Sequence, residues 1–469
     1  MRALWQRLAR APRELWLIYL LKLLSSYAYF SLSLALVLYL SETLGYDDET
    51  AGLLYGLYGV VASAYGLASG WLIDRLGARR SLLFGAALGT LGRTALAVLS
   101  QRLVVTTLLV TVLPFAECLG VPVLTICIKR YTSGKDGTRT VAYSLFYTVM
   151  NVAALLAGPA VDLCHRFWDL RALFWTCALA SAAMFGIILL GVREIEVDAE
   201  GRTRDFVSPF AGETVLESLR RLAVDQRFWR LLVFTTLIVG VRLIFRHLDA
   251  TLPKYMTRVF GESAPFGLFY AINPFMIITL VPVLGVYTSH IDHFQMILYG
   301  SFLSGFSVFW MMLGDRYWTV ALFIMTLSLG EAVYSPRVYD YTMAIAARGS
   351  EGTYTSLASL PLFGVQFFTG WMSGTLLQRY CPASPASARQ PRKMWFIIAL
   401  ATAWSPLGMW FARNWLRTDV ASRKATASAD ASPANANVEY ATTVEAPDAE
   451  QMTKRAVPED SISQSVSIE

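Results

Sequence analysis

Charged residues are scarce in this sequence: Asp, Glu, Lys and Arg make up 16% of its 469 residues. A soluble globular protein carries about 25%. Hydrophobic residues make up 55% of the chain, and the mean hydropathy is +0.46. These values argue against a soluble protein and indicate one that is embedded in a lipid bilayer.

Motifs of the common catalytic sites are also missing. The chain has no Walker phosphate-binding loop, no H-E-x-x-H zinc motif and no G-x-S-x-G nucleophile elbow. Its five cysteines show neither the pairing of a disulfide framework nor the spacing of a metal site. We therefore expect neither an enzyme nor an energy-hydrolysing pump, and we expect no cofactor and no metal.

Long apolar runs, in contrast, are abundant. About 20 predominantly apolar residues cross a bilayer, and we identify twelve such runs. They must be helices, because lipid cannot satisfy an unpaired backbone N–H or C=O. The runs begin near Leu15, Ala51, Ser81, Leu103, Thr140, Ala172, Phe228, Pro265, Phe294, Trp318, Thr353 and Met394. The predicted fold class is an all-α membrane protein with twelve transmembrane helices in two six-helix bundles.

The distribution of basic residues predicts the topology, because the cytoplasmic loops of membrane proteins carry an excess of Lys and Arg. Basic residues precede the first run, follow the fourth and are densest between the sixth and seventh, whereas the first loop is acidic. We therefore place both termini and the central loop in the cytoplasm. The predicted parts are an N-terminus (1–14), an N-terminal bundle (15–192), a central loop (193–226), a C-terminal bundle (227–417) and a tail (418–469).

The tail differs from the rest in composition. Residues 418–469 hold nine acidic and four basic residues, 4 − 9 = −5, and are rich in Ala, Ser, Thr and Pro. Since they lack apolar periodicity, we expect a disordered cytoplasmic tail that could dock a cytoplasmic partner. The remainder then carries +6 − (−5) = +11. In a membrane protein such an excess marks the cytoplasmic rim and does not indicate nucleic-acid binding.

A polar turn separates the second and third runs. Gly70-Trp-Leu-Ile-Asp-Arg-Leu-Gly-Ala-Arg-Arg80 has the pattern G-x-x-x-D-R-x-G-x-R-R. It resembles the loop between helices two and three of major facilitator superfamily transporters, where the turn helps to latch the cytoplasmic ends of the N-terminal half. The alternative is a generic basic loop that only sets topology. The resemblance implies a gating role for six residues: Gly70, Asp74, Arg75, Gly77, Arg79 and Arg80.

Four further motifs resemble the proton-dependent oligopeptide transporter family, the peptide/nitrate transporter branch of that superfamily. They are Val37–Gly45 at the end of the first run, Ala142–Asn151 with F-Y-x-x-x-N in the fifth, Ile272–Ile278 with Asn-Pro in the eighth, and Gly330–Pro336 with G-E-x-x-x-S-P in the tenth. The resemblance covers most of residues 15–417. It implies alternating access between two bundles and places Tyr147, Asn151 and Glu331 at the substrate cavity.

Two motifs of that family are absent. The region corresponding to its helix-one E-x-x-E-R motif reads Tyr19–Leu23 without either acid or the arginine. The region corresponding to its helix-four G-x-G-x-x-K-P-N pattern reads Gly120–Thr125 without the lysine. The resemblance therefore leaves proton coupling and a peptide substrate open.

Charged residues inside apolar runs are candidate functional residues, because a charge at the bilayer centre is costly. In the first half these are Lys22, Arg93 and Glu117. We expect Lys22 and Glu117 to pair across a cavity, with the polarity reversed relative to the family's acid and lysine. The alternative is that Lys22 extends to the cytoplasmic interface.

The second half is richer in such charges. Arg242, Arg246 and Asp249 recur at i, i+4 and i+7, so they share one helical face. That face must line a cavity or meet another helix, and Glu331 is the expected acid partner of the arginines and the candidate for protonation. Either these groups contact a solute that carries a carboxylate or an amine, or they form a structural interhelical lock. The full set is Arg242, Arg246, Asp249, Glu331, Arg337 and Asp340.

Three functions remain open from the sequence. The first is a secondary transporter, with or without proton symport, that moves a small oligopeptide-like, zwitterionic or anionic solute through a bilayer. The second is an uncoupled facilitator of an amino acid, a nitrate-like anion or a sugar. The third is a non-transporting membrane receptor or scaffold. The plasma membrane and an organelle membrane are both compatible with the sequence.

Overall fold

The protein is built almost entirely of helices. The computed structural model describes residues 11–132, 138–197, 202–205, 226–288, 291–345, 360–384 and 386–430. The helices are α1 (Arg13–Leu38), α2 (Asp48–Leu76), α3 (Ala78–Val98), α4 (Arg102–Arg130), α5 (Thr138–Phe167), α6 (Leu170–Gly191), α7 (Gln226–Ala250), α8 (Leu252–Phe260), α9 (Phe266–Tyr287), α10 (His293–Ser307), α11 (Tyr317–Ile345), α12 (Leu360–Tyr380) and α13 (Pro391–Asp430). A π-helical turn (Tyr39–Thr43) extends α1, and a 3-10 turn (Val308–Met312) extends α10.

The predicted class of an all-α membrane protein is confirmed. Within the described ranges, nine helices are long and apolar enough to cross a membrane. The other three predicted runs fall on α2, α7 and α12. These three helices pack on protein, α2 against α12 and α12 against α7.

The helices form two bundles that meet along a seam. In the first bundle α3 packs on α4 and α6, and α1 packs on α5 and α6. In the second, α10 and α9 pack on α11, and α12 packs on α7. Among the described residues, the main contacts between the bundles are made by four helix pairs: α2 with α12, α5 with α9, α1 with α7 and α1 with α8. We call the end that holds Leu44–Asp47 the first-loop side and the end that holds residues 192–205 the central-loop side.

The start of α2 and the junction after it follow from local chemistry. Asp47 caps α2, since its carboxylate accepts a hydrogen bond of 3.1 Å from the backbone N–H of Thr50. The hydrogen bonds to Thr50 hold the pKa of Asp47 below its ordinary value. At the other end only Gly77 separates α2 from α3, with a φ of 79°. Glycine adopts this left-handed conformation without steric cost.

Two features of the fold differ from the sequence prediction. The central loop contains a small antiparallel hairpin, β1 (Ile195–Val197) paired with β2 (Thr203–Asp205), which we did not predict. The last helix continues to Asp430, past the predicted start of the tail at residue 418. Met1–Arg413 forms one compact unit and Asn414–Glu469 a second. Residues 431–469 lie outside the described residues, so a disordered tail stays a prediction.

Candidate functional site

A buried acid near the end of α7 connects the two bundles. Asp249 is 7% exposed. Its carboxylate accepts hydrogen bonds from Ser33 of α1 at 3.0 Å, Tyr55 of α2 at 3.4 Å and Arg246 of α7 at 3.4 Å. Arg246 also donates to the Tyr29 hydroxyl at 3.4 Å. A buried carboxylate needs such partners, so this cluster contributes to closure of the seam.

A second buried acid lies on α11. Glu331 is 9% exposed, and its Oε2 accepts a hydrogen bond of 2.8 Å from the Asn273 amide of α9. The same amide donates to Ser328 at 3.0 Å. Arg242 of α7 acts on Glu331 electrostatically. The expected pairing with the arginines is thus modified: Arg246 pairs with Asp249, and the hydrogen-bond donor to Glu331 is an amide.

A third acid, with a side chain 12% exposed, lies in the first bundle. Glu117 of α4 accepts a hydrogen bond from Arg93 of α3, whose second nitrogen donates to Ser181 of α6 at 2.8 Å. The expected ion pair between Glu117 and Lys22 is therefore wrong. Arg93 fills the position of the expected partner, because a guanidinium can reach a carboxylate and a hydroxyl at once.

Lys22 lies beside an aromatic ring. The residue is 5% exposed, and its ammonium lies 4.7 Å from the centroid of the Phe146 ring of α5. At this distance the ring face attracts the cation. Glu117 still acts on Lys22 electrostatically. Lys22 is thus buried between α1 and α5, and it does not extend to an exposed surface.

Of the four other predicted cavity residues, the structure describes the side chains of two. Tyr147 and Asn151 are one turn apart on α5, where the Asn151 amide donates to the Tyr147 carbonyl at 2.9 Å. Asn151 is buried at 7% exposure. Arg337 and Asp340 are on α11, but their side chains lie outside the described residues. Their place in a cavity stays a prediction.

The seam is closed at the first-loop side by an ion cluster that the sequence analysis missed. Asp48, the first residue of α2, accepts from Lys254 at 2.5 Å and from both terminal nitrogens of Arg258 at 2.7 Å. Both cations belong to α8. Lys254 is 1% exposed, so this cluster is shielded from solvent. The run of basic residues after the seventh apolar run is a signal that could have indicated it.

On the same side, a capped helix and a close glycine contact join α5 to α9. Asp162 of α5 accepts hydrogen bonds of 2.7 Å from the backbone N–H groups of Gly267 and Leu268 at the start of α9. An acid at a helix N-terminus is favourable. A Cβ atom on Gly158 would collide with the Gly267 carbonyl. The backbones of α5 and α9 therefore touch directly.

The contact between α2 and α12 has the same character. A Cβ atom on Gly370 would collide with the Gly52 carbonyl and lie 2.8 Å from the backbone nitrogen of Gly56. One on Gly374 would lie 2.5 Å from the Asp48 carbonyl. Small residues of this kind let membrane helices approach closely. The first-loop side is thus held by backbone contacts as well as by charges.

The predicted polar turn at the central-loop side is a single residue. Gly70, Asp74 and Arg75 are helical residues of α2, not part of a turn, and nothing is described of the Asp74 and Arg75 side chains. Of the residues in the predicted turn that the structure describes, only Gly77 has a positive φ, so the chain reverses there. Arg80 is exposed.

A carboxylate beyond α6 caps α3 at this junction. Glu194 accepts from the backbone N–H groups of Ala78 at 2.8 Å and Arg79 at 2.9 Å. It also pairs with Arg130 of α4 at 2.8 Å. Arg79 in turn donates to the Leu189 carbonyl of α6 at 2.9 Å. Glu194 therefore ties α3, α4 and the chain after α6 together, a role the sequence analysis missed.

We expect Glu194→Ala to destabilise the protein. Loss of a helix cap costs about 1–2 kcal/mol, and Arg130 loses its partner. The midpoint of thermal unfolding of the purified protein in detergent should fall by a few degrees. Glu196→Ala, two residues on and exposed, is the matched control and should leave the midpoint unchanged. Equal midpoints for the two variants would contradict the capping role.

No group of side chains that could hold a metal ion is found among the residues that the structure describes. The five cysteines are buried and free. The polar groups of the interior are instead carboxylates, guanidinium groups, an ammonium group and amides. These groups can form hydrogen bonds with a solute and bind its charged groups, and the carboxylates can also take up and release protons.

Comparison with known proteins decides the family. The family model described as Major Facilitator Superfamily matches residues 18–370 of this chain. That is more than half of its length. The chain belongs to the Major Facilitator Superfamily.

Sequence relatives agree with this assignment. This superfamily member is 24% identical over 355 residues to the Multidrug resistance protein MdtH of Proteus mirabilis, covering 73% of this chain and 83% of the relative. It is 21% identical over 387 residues to MdtH of Yersinia enterocolitica, covering 81% and 89%. The chain is thus a membrane transporter, and the fold class predicted above is that of its superfamily.

Solved structures share this fold. A POT family transporter in complex with 5-aminolevulinic acid has a TM-score of 0.70 and 16% identity, with 87% of this chain and 97% of that one covered. The peptide transporter POT in complex with sulfate has a TM-score of 0.67 and 17% identity, covering 86% and 95%. The superfamily member therefore shares the POT fold, as the motifs indicated.

Proposed function

We propose that this superfamily member moves a small organic solute with a carboxylate group, short peptides being the leading class, by proton-coupled alternating access. The carrying observation is a set of three acids in the helices that are no more than 12% exposed: Glu117, Asp249 and Glu331. Ionisable residues inside a membrane usually mark a substrate or proton pathway. Similarity of fold to POT family transporters in complex with 5-aminolevulinic acid and with a thioalcohol-conjugated peptide supports the solute class.

Alternating access requires a seam that closes on one side at a time. The ion cluster at Asp48 and the glycine contacts hold the first-loop side closed. We place the central-loop side in the cytoplasm, as the basic residues indicate, so this conformation would be open to the cytoplasm. In the opposite conformation the first-loop side would separate and the Glu194 junction would approach the second bundle.

Asp249 is the proposed site of proton coupling. While ionised, it holds α1 and α2 against α7 through Ser33 and Tyr55, and it pairs with Arg246 of its own helix. Protonation would remove the charge that Arg246 pairs with and weaken three contacts across or beside the seam. The Arg246 side chain is 30% exposed, so water can reach the pair. A proton from the first-loop side would therefore favour opening toward that side.

We expect Asp249→Asn to uncouple transport. An inward proton gradient should stimulate solute uptake into proteoliposomes by the unchanged protein, and it should have no effect on this variant. The amide cannot take up a proton but still accepts hydrogen bonds. Asp169→Asn, an exposed acid at the start of α6, should respond like the unchanged protein. A gradient response that persists in Asp249→Asn would reject this residue as the coupling site.

The proposed function as a whole is tested by uptake of a labelled dipeptide into proteoliposomes with and without the gradient. Stimulated uptake would support proton-coupled transport, and unstimulated uptake would support the alternative of an uncoupled facilitator. A folded protein that takes up no dipeptide in either condition would remove peptides as the leading class. Removal of residues 418–469 should leave uptake intact, because the tail is proposed only as a docking element for a cytoplasmic partner.

A further inference from the structure

A histidine lies where the two bundles meet at the first-loop side. His165 is near the end of α5, and its Nε2 lies 3.3 Å from a carboxylate oxygen of Glu42, in the π-helical turn after α1. Its ring is in edge contact with the Phe266 ring of α9, with the centroids 5.7 Å apart. His165 therefore contacts a carboxylate of its own bundle and an aromatic ring of the other bundle.

Three acids and one arginine surround this imidazole. Besides Glu42, Asp162 of α5 and Glu262, between α8 and α9, act on it electrostatically. Asp162 is the acid that caps α9 across the seam. Arg166 lines a cavity of about 110 Å³ together with these two acids, but its guanidinium lies 5.4 Å from the centroid of the Phe167 ring. Acids of the first bundle thus face an acid of the second bundle, with the imidazole among them.

Protonation of the imidazole changes the balance of charge at this part of the seam. While the imidazole is neutral, the carboxylates of the two bundles carry like charges and repel each other. A positive charge on His165 attracts carboxylates of both bundles. Histidine is the side chain that ordinarily changes its charge between about pH 5 and 8. The His165 side chain is 14% exposed and that of Glu42 is 45% exposed, so protons from the first-loop side can reach the pair.

We propose that His165 is a proton-binding site separate from Asp249, and that its protonation favours the conformation closed at the first-loop side. The closed conformation holds the imidazole near acids of both bundles, so it binds the proton more tightly than the open one. This contribution to closure is present in acid and is lost as the pH rises through the range in which histidine titrates. It opposes the effect of a proton on Asp249. The proposal rests on the alternating access of the proposed function, but not on its solute or its coupling residue.

A cysteine buried in the seam measures this closure without any solute. Ala271 of α9 is 5% exposed, and a Cβ atom on Gly158 of α5 would lie 3.4 Å from its Cβ. The thiol of Ala271→Cys should therefore react with a maleimide only after α5 and α9 separate. The purified full-length protein carries this substitution alone, with His165→Gln or with His165→Arg. Protein without it gives the background from the five native cysteines, which are buried.

At about pH 5.5, the protein with His165 should be labelled about two- to fivefold more slowly than His165→Gln, as expected for a partly exposed ion pair. At about pH 8 the two rates should be equal, because both side chains are then neutral. His165→Arg, which is always charged, should be labelled slowly at both pH values. Comparing the variants at one pH removes the effects of pH on thiol reactivity and on Asp249, which they share.

Glu42→Gln should reduce the difference seen at about pH 5.5. The matched control is Glu196→Gln, the same substitution at an exposed acid of the hairpin, and it should leave the difference unchanged. Equal or faster labelling of the protein with His165 at about pH 5.5, or the same ratio of rates at both pH values, would overturn the proton-binding role and leave transport standing. No labelling above background in any variant would show that α5 and α9 do not separate. That result would overturn the alternating access of the proposed function, and this proposal with it.

Discussion

Gly370→Ala should reduce transport by about tenfold or more. The added methyl group would collide with the Gly52 carbonyl and lie 2.8 Å from the Gly56 nitrogen. Neither backbone can yield without separating α2 from α12, and overpacking of this kind costs about 1–3 kcal/mol. A cost of about 1.4 kcal/mol is a tenfold change in an equilibrium. The first-loop side would then stay open for a larger share of the time.

Gly364→Ala is the matched control, because the same methyl group in the same helix would meet nothing within 4 Å. Labelling of a cysteine introduced at Asp47, at the mouth of the first-loop side, should rise in Gly370→Ala and not in Gly364→Ala. Equal labelling and equal uptake in the two variants would show that close approach of α2 and α12 does not limit closure.

Glu117→Gln should lower the free energy of unfolding by about 3–5 kcal/mol, the cost of breaking a buried ion pair by removal of one partner. Arg93 would keep its charge, with Ser181 as a remaining neutral acceptor. The double variant Arg93→Met with Glu117→Leu should recover most of the loss, because a buried pair replaced by apolar residues is often neutral. Thermal unfolding in detergent provides the comparison. Glu262→Gln, at an exposed acid, should have no effect.

Uptake by the double variant then separates structure from transport. A stable double variant that no longer takes up solute would assign Glu117 to the transport pathway. A stable double variant with unchanged uptake would make the pair purely structural. A Glu117→Gln protein as stable as the unchanged one would contradict the buried ion pair itself.

The sequence correctly predicted those features of the site that depend on a single helix. The spacing of Arg246 and Asp249 predicted a shared face, and the structure pairs them at 3.4 Å. Glu331 stood out as an acid in an apolar run, and it is buried at 9% exposure. In both cases helical periodicity and the cost of a charge in lipid are local properties. They can be judged without knowing which helices are neighbours.

Partners from distant parts of the chain could not be predicted in the same way. Ser33 is 216 positions from Asp249, and Asp48 is 210 positions from Arg258. Such contacts depend on how each helix is rotated in the bundle, which periodicity alone does not determine. The error at Glu117 has this origin, since Arg93 was known to lie in an apolar run but its direction was not. The three-residue strands of the hairpin were too short to give a pattern.

Because a single glycine separates α2 from α3, the two long helices of the first bundle are connected almost without a loop. α2 has 29 residues and is therefore about 43 Å long, with Gly52 near one end and Gly77 just beyond the other. One residue leaves almost no slack, and Glu194 fastens the start of α3 to α4. Any tilt imposed on α2 where it touches α12 must then be transmitted across the thickness of the membrane to the hairpin. A change in the contact between α2 and α12 at the first-loop side can thereby alter the position of the hairpin at the central-loop side.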